Sequence, residues 1–199
     1  MVKVGVFVGS VRERSWSRKV AAAVAQMFPA DWEAEFFNLA DLPLYNQDWD
    51  EADSSLEVPE VVRALREQVA GVNALLFVTP EYNRGLPGSL KNAIDIVSRP
   101  SGSFFLAGKP AMVVSISTGG ISGFGANHAL RQTLVFLNVP VMAQPELYLG
   151  HIHESFGGDP VKDRVGWEPD PERDRLAEST AALLQKGADS FVEFASHWL

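Results

Sequence analysis

The chain has no cysteine among its 199 residues. That absence excludes disulfides, thiolate metal sites, thiol nucleophiles and iron–sulfur clusters. Long hydrophobic runs are missing too: no stretch approaches the roughly 18–20 apolar residues needed to cross a bilayer. The apolar segment 2–9 is too short for a secretory signal and has no small-residue cleavage site, so a cytoplasmic protein is expected. Positive charge is in deficit, with 17 Lys and Arg against 25 Asp and Glu and a net charge of −8. Such a balance argues against a general partner of nucleic acid or of anionic membranes. The chain also lacks internal repeats, low-complexity tracts and a convincing linker. A single domain over 1–199 is therefore expected.

What is present is a series of short apolar runs alternating with helical patterns. Val2–Val8 (VKVGVFV) is Val-rich and ended by Gly9-Ser10, as a strand buried on both faces should be. Ser17–Phe28 has helical spacing and stops at Pro29. Trp32–Leu39 is a second predicted strand, and Pro59–Ala70 a helix with proline at its start. Asn73–Thr79 and Lys109–Ser117 read as strands three and four, and Val139–Met142 as the start of a fifth. Helices are expected over Pro87–Ser98, Ala126–Leu137 and Leu176–Trp198. Strands alternating with helices imply parallel pairing and helices on both faces, a three-layer α/β sandwich around a five-stranded parallel sheet. In such sheets ligands bind beyond the carboxyl ends of the strands, near the switch in strand order.

Three unusual loops leave those ends. GSVRERSWS, residues 9–17, supplies the hydroxyls of Ser10, Ser15 and Ser17, the cation of Arg12, and the start of a helix, whose free N–H groups favour phosphate. With a single glycine it matches neither the dinucleotide fingerprint nor the P-loop, and a terminal phosphate monoester suits it better. The plainer reading is that Ser17 caps a helix whose Arg12, Arg14, Arg18 and Lys19 are solvated. Trp16, within this loop, is a candidate to cover a cofactor or meet a neighbouring subunit. The second loop, TPEYNRGLPG, sets a rigid Pro80 and the flexible Gly85 and Gly88 around Glu81, Tyr82 and Asn83. It suits a flat, polar-edged ring, with Tyr82 shielding a face and Asn83 bonding the rim, or else it is an ordinary strand-to-helix turn. The third, STGGISGFG, lets main chain lie against a ligand through Gly119 and Gly120, or is merely a flexible connection.

On GSVRERSWSRKVA, TPEYNRGLPGSLKNAIDIVSRP, LAGKPAMVVSISTGG and LRQTLVFLNVPVM, together spanning about residues 2–150, the chain resembles the NADPH-dependent FMN reductase family. That family has a flavodoxin-like fold and includes quinone, chromate and azo-dye reductases. The resemblance implies that Ser10, Arg12, Ser15 and Ser17 surround the FMN phosphate. It implies that Pro80, Glu81, Tyr82 and Asn83 border the isoalloxazine, with Ser117, Gly119 and Gly120 beside it. It further implies hydride transfer from NADPH or NADH to FMN, then reduction of a quinone, flavin or other small acceptor. Such chemistry belongs to the cofactor, so no catalytic side chain is named. Homodimers or homotetramers are implied, with the helix after the middle motif in the contacts. The alternative is a flavodoxin-type FMN carrier serving protein partners, which the acidic charge fits but the serine–arginine loop and PEYN do not. His151, His153 and Glu154 are read as surface residues and no metal is expected. Asp48, Asp50, Glu51 and Asp53 are read as a solvated acidic loop. Residues 155–175 depart from the family pattern by their length and proline content.

Overall fold

The alternation of apolar side chains along the strands decides what packs on each face of the sheet. In the computed structural model, which describes residues 1–103, 105–156 and 175–199, β1 is Val2–Val8, β2 Trp32–Phe36, β3 Ala74–Pro80, β4 Ala111–Ile116 and β5 Leu147–Leu149. The helices are α1 Trp16–Gln26, α2 Glu60–Gly71, α3 Gly88–Val97, α4 Phe124–Phe136 and α5 Glu178–Ser196. The sheet is parallel in the order β2-β1-β3-β4-β5. Val4, Val6 and Val8 of β1, with Leu76 and Val114, meet Val20 and Val24 of α1 and Leu184 and Phe191 of α5. The opposite register places Phe7, Leu75, Phe77 and Val113 against Val62 and Leu65 of α2, Ile94 of α3 and Leu130 of α4. Each such side chain, removed from water, contributes roughly 1.5–3 kcal/mol. The expected three-layer, flavodoxin-like sandwich is the fold found.

The fifth strand is corrected. Val139–Met142 forms one bridge, Ala111 to Val141, rather than a ladder. Pro140 has no N–H to donate, and its carbonyl accepts from the Ala111 N–H at 2.8 Å. The ladder proper comes later, with Leu147–Leu149 beside Val114–Ile116.

The acidic loop is corrected in part. The Asp50 side chain is only 8% exposed, and its two carboxylate oxygens accept from Nη1 and Nη2 of Arg66, both at 2.8 Å. Arg66 Nε donates to the Ile96 carbonyl at 3.1 Å, and Tyr45 donates its hydroxyl to Asp50 at 3.0 Å. Asn92 of α3 completes the attachment: its Oδ1 accepts from the Tyr45 N–H and its Nδ2 donates to the Pro43 carbonyl. A long connection is thereby fixed across α2 and α3. Burial, followed by the Asp50 carboxylate, raises the Tyr45 pKa above 10.0. A pKa higher in the folded state gives stability that is present below pH 10 and is lost as pH rises through the folded value. Tyr45→Phe is therefore expected to flatten the loss of stability above pH 10, measured by urea unfolding along a pH series.

Candidate functional site

Because β1, β3 and β4 are neighbours and parallel, the loops that follow them leave one edge of the sheet side by side. β1 stands at the switch in order, with β2 on one side and β3 on the other. Specific contacts join the loops. Ser89, in the first turn of α3, donates its hydroxyl to the Gly9 carbonyl at 3.1 Å. A Cβ on Gly9 would lie 3.1 Å from Pro80 Cδ and from Thr79 Oγ1, so the first loop can start this close to the second only without a side chain there.

In the first loop the cap is Ser15, not Ser17. Its side chain accepts from the Arg18 N–H at 3.4 Å, and its carbonyl receives the next amide of α1. Ser17 is one residue inside the helix, 1% exposed, and its hydroxyl has no hydrogen-bond partner among the described residues. A buried hydroxyl left unpaired costs about 1–3 kcal/mol. That observation is what a site awaiting an acceptor oxygen at the helix N-terminus would display. Ser10 is half-buried and its Oγ accepts from the Arg12 N–H, while the Arg12 side chain is exposed. Trp16 is the first residue of α1 and lies between these serines in sequence. Its ring is in the core, stacked on Phe156 at 5.2 Å, with Lys19 5.3 Å above it.

The second loop is a tight hairpin. Tyr82 and Gly85 exchange both backbone hydrogen bonds, at 3.1 and 3.0 Å, and Asn83 and Arg84 turn the chain with φ of 51° and 66°. The Tyr82 amide is therefore spent inside the hairpin, and the amides of Asn83 and Arg84 at the tip lie outside that pair. Tyr82 is 48% exposed. Glu81 faces α4 rather than open space: Oε2 accepts from the Ala126 N–H at 3.1 Å, and Oε1 lies 3.2 Å from Arg84 Nη1. Its negative charge meets the positive end of α4, whose N-cap residue, Gly123, supplies no side-chain cap.

The third loop is held from behind. The Ser117 N–H donates to the Leu149 carbonyl, the Ser117 carbonyl accepts from the Ile152 N–H, and the Ser117 hydroxyl accepts from the Gly119 N–H at 3.0 Å. Ser122 donates its hydroxyl to the Gly120 carbonyl, and the Ser122 carbonyl accepts from Ser115 of β4. Buried Asn127 donates to the Ser115 hydroxyl and accepts from Arg131. Sequence reasoning missed these backing residues, and Glu81 as a clamp, because polar side chains in a glycine-rich loop carry no periodic signal and the Glu81 partner is 45 residues away. Gly120 is beside His151, whose Nε2 would lie 3.2 Å from a Cβ placed there. His151, His153 and Glu154 face solvent, and among the described residues no group of three such side chains is placed to hold a metal ion. Of residues 155–175, those from 157 to 174 lie outside the described residues.

The family model for NADPH-dependent FMN reductase matches residues 2–154, the stretch that supplies all three loops. The chain belongs to the NADPH-dependent FMN reductase family. It is 52% identical over 191 residues to a quinone reductase of Pseudomonas putida, covering 96% of this chain and 93% of that one. It is 42% identical over 150 residues to a 2-hydroxy-1,4-benzoquinone reductase of a Burkholderia species, covering 75% of this chain and 79% of the other. Among solved structures it resembles FerB, a flavoenzyme NAD(P)H:(acceptor) oxidoreductase of Paracoccus denitrificans, with a TM-score of 0.82 and 32% identity. That match covers 100% of this chain and 99% of FerB. Membership of the FMN reductase family makes FMN the cofactor and NAD(P)H the co-substrate of the chain.

Proposed function

We propose that this FMN reductase is a quinone reductase whose three loops form the flavin site. When bound, FMN supplies the redox chemistry, taking a hydride from NAD(P)H and passing two electrons to a quinone or similar small acceptor. The observation that carries the site assignment is the unpaired, buried Ser17 hydroxyl at the start of α1, on the edge where the other two loops emerge. Ser10, Arg12, Ser15 and Ser17 hold the phosphate. Arg12 adds a charge-assisted contact that a neutral side chain cannot make. Pro80 and the Tyr82–Gly85 hairpin border the ring, with Glu81 fixing the hairpin to α4. Ser117, Gly119 and Gly120 form the opposite wall, where the lack of side chains admits a planar group.

The test is an absorbance spectrum of the purified protein, then anaerobic titration with NADPH and with NADH and an assay with free quinone. A yellow protein, bleached by the nucleotide and reoxidised by quinone with no partner protein, is expected. A colourless protein that binds no FMN on addition overturns the proposal, and failure to turn over free quinone returns the reading to a carrier. Arg12→Ala should weaken FMN about tenfold to a hundredfold. Ser17→Ala should act in opposite directions on the two states. It removes an unpaired polar group, so the apoprotein should melt no lower than the parent, while FMN binds about fivefold to tenfold more weakly. Calorimetry of FMN binding with melting of the apoprotein checks both.

A cytoplasmic homodimer or homotetramer belongs to the same proposal. The assembly is supported by the exposed apolar side chains of Val135 and Phe136 in the last turn of α4. Light scattering on the eluted protein measures the assembly.

A further inference from the structure

At the tip of the second loop two successive non-glycine residues take left-handed backbone, Asn83 at φ 51° and Arg84 at φ 66°. Two-residue hairpins of this kind favour Asn followed by Gly, and Asn83 satisfies the first preference. Arginine at the second position is strained where glycine is not. The turn itself gains nothing from arginine there. The side chain explains the choice better. Arg84 is 69% exposed, yet its Nη1 lies 3.2 Å from Oε1 of Glu81, a carboxylate only 10% exposed. The other oxygen of Glu81 is bound to the Ala126 N–H. The guanidinium is thus aimed by a carboxylate that is itself fixed to α4. An i,i+3 pair whose guanidinium is open to water is screened and contributes little to stability, so it does not justify the strained backbone by its own energy. A guanidinium has five N–H donors, and the Glu81 contact engages one nitrogen. In a chain of net charge −8, this holds an oriented cation at the mouth of the site.

Resting on the reading of these loops as the FMN site, we infer that Arg84 determines specificity by binding an anionic oxygen of the molecule that enters over the flavin. Two sources carry that chemistry: a phosphate of the pyridine nucleotide, or the ionised hydroxyl of an acidic quinone. The FMN phosphate is a different anion and belongs to the first loop. Glu81 is the positioning residue for the guanidinium.

Arg84→Gly and Arg84→Gln test this. Glycine adopts the turn without strain, so Arg84→Gly should fold at least as stably as the parent, and FMN titration by fluorescence quenching sets the concentration at which each variant is saturated with FMN before its rates are compared. Steady-state rates are compared for NADPH, NADH and phosphate-free N-benzyl-dihydronicotinamide, and for ionised 2-hydroxy-1,4-benzoquinone against neutral 1,4-benzoquinone. In both variants the preference for the anionic over the neutral member of one pair should fall about tenfold, as expected for loss of one charge-assisted contact. A fall for both nucleotides against the phosphate-free donor assigns the pyrophosphate, and a fall for NADPH alone assigns its extra phosphate. A fall for the hydroxyquinone alone assigns the acceptor. Preferences unchanged within twofold in every pair overturn the inference while the FMN reading stands. A parent protein that binds no FMN overturns both.

Discussion

Replacing Asp50 with alanine is expected to remove about 3–5 kcal/mol of folding stability, because it strands a buried cation. The guanidinium of Arg66 would keep its bond to the Ile96 carbonyl and lose both carboxylate partners, while the Tyr45 hydroxyl would lose its acceptor. Both members of the pair are more than nine-tenths buried, so water cannot take the place of the carboxylate at low cost. At roughly 2–4 °C per kcal/mol for a chain of this size, the melting temperature should fall by roughly 6–20 °C. The double variant Asp50→Leu with Arg66→Met should recover most of the loss, since apolar replacements of similar volume leave no charge behind. Melting curves for the single and double variants decide the matter. A single variant within about 1 kcal/mol of the parent would mean that the pair behaves as an exposed one.

This pair also marks a limit of what was legible in the residues alone. A run with Asp48, Asp50, Glu51 and Asp53 looks solvated because acidic clusters usually are. Nothing local separates Asp50 from its neighbours; its partner is on α2, and the burial that makes the contact strong exists only in the folded chain. The sheet was easier. β1, β3 and β4 are buried on both faces and read as unbroken apolar runs, and the helices between them imply parallel pairing, whereas the order β2-β1-β3-β4-β5 has no signal in the runs themselves. β5 was misplaced because Val139–Met142 is as apolar as a strand but carries Pro140, and its true ladder is three residues long. The first loop was legible as a helix start rich in hydroxyls, but which serine caps it was not. Ser15 and Ser17 differ by half a turn, and the geometry gives the cap to the earlier and leaves the later unpaired. Glu81 was read as a neighbour of the ring. Its role as a clamp depends on α4, 45 residues away, a separation over which periodicity carries no information.

The same clamp makes Gly125→Ala the most damaging conservative change expected at the site. Gly125 is the second residue of α4, where alanine by itself should favour the helix by about 0.5–1 kcal/mol. The space contradicts the propensity. A Cβ at 125 would stand 2.8 Å from the Arg84 carbonyl oxygen and 2.9 Å from Glu81 Oε2, and the first of these is backbone. Overpacking of this kind costs about 1–3 kcal/mol, and the element with freedom to yield is the hairpin, whose tip is open to solvent, rather than α4, which is seated on the core through Leu130 and Leu134. The strain should therefore move the hairpin off α4, release Glu81 from Ala126, and appear as FMN binding weakened by tenfold or more with little change in global unfolding. Gly71→Ala is the control: it has nothing within 4 Å of its Cβ, ends α2 far from the three loops, and should leave FMN affinity unchanged. If Gly125→Ala binds FMN as tightly as the Gly71 control, the hairpin does not depend on its seat against α4. The ring-bordering role given to residues 80–85 would then have to rest on the β3 end alone.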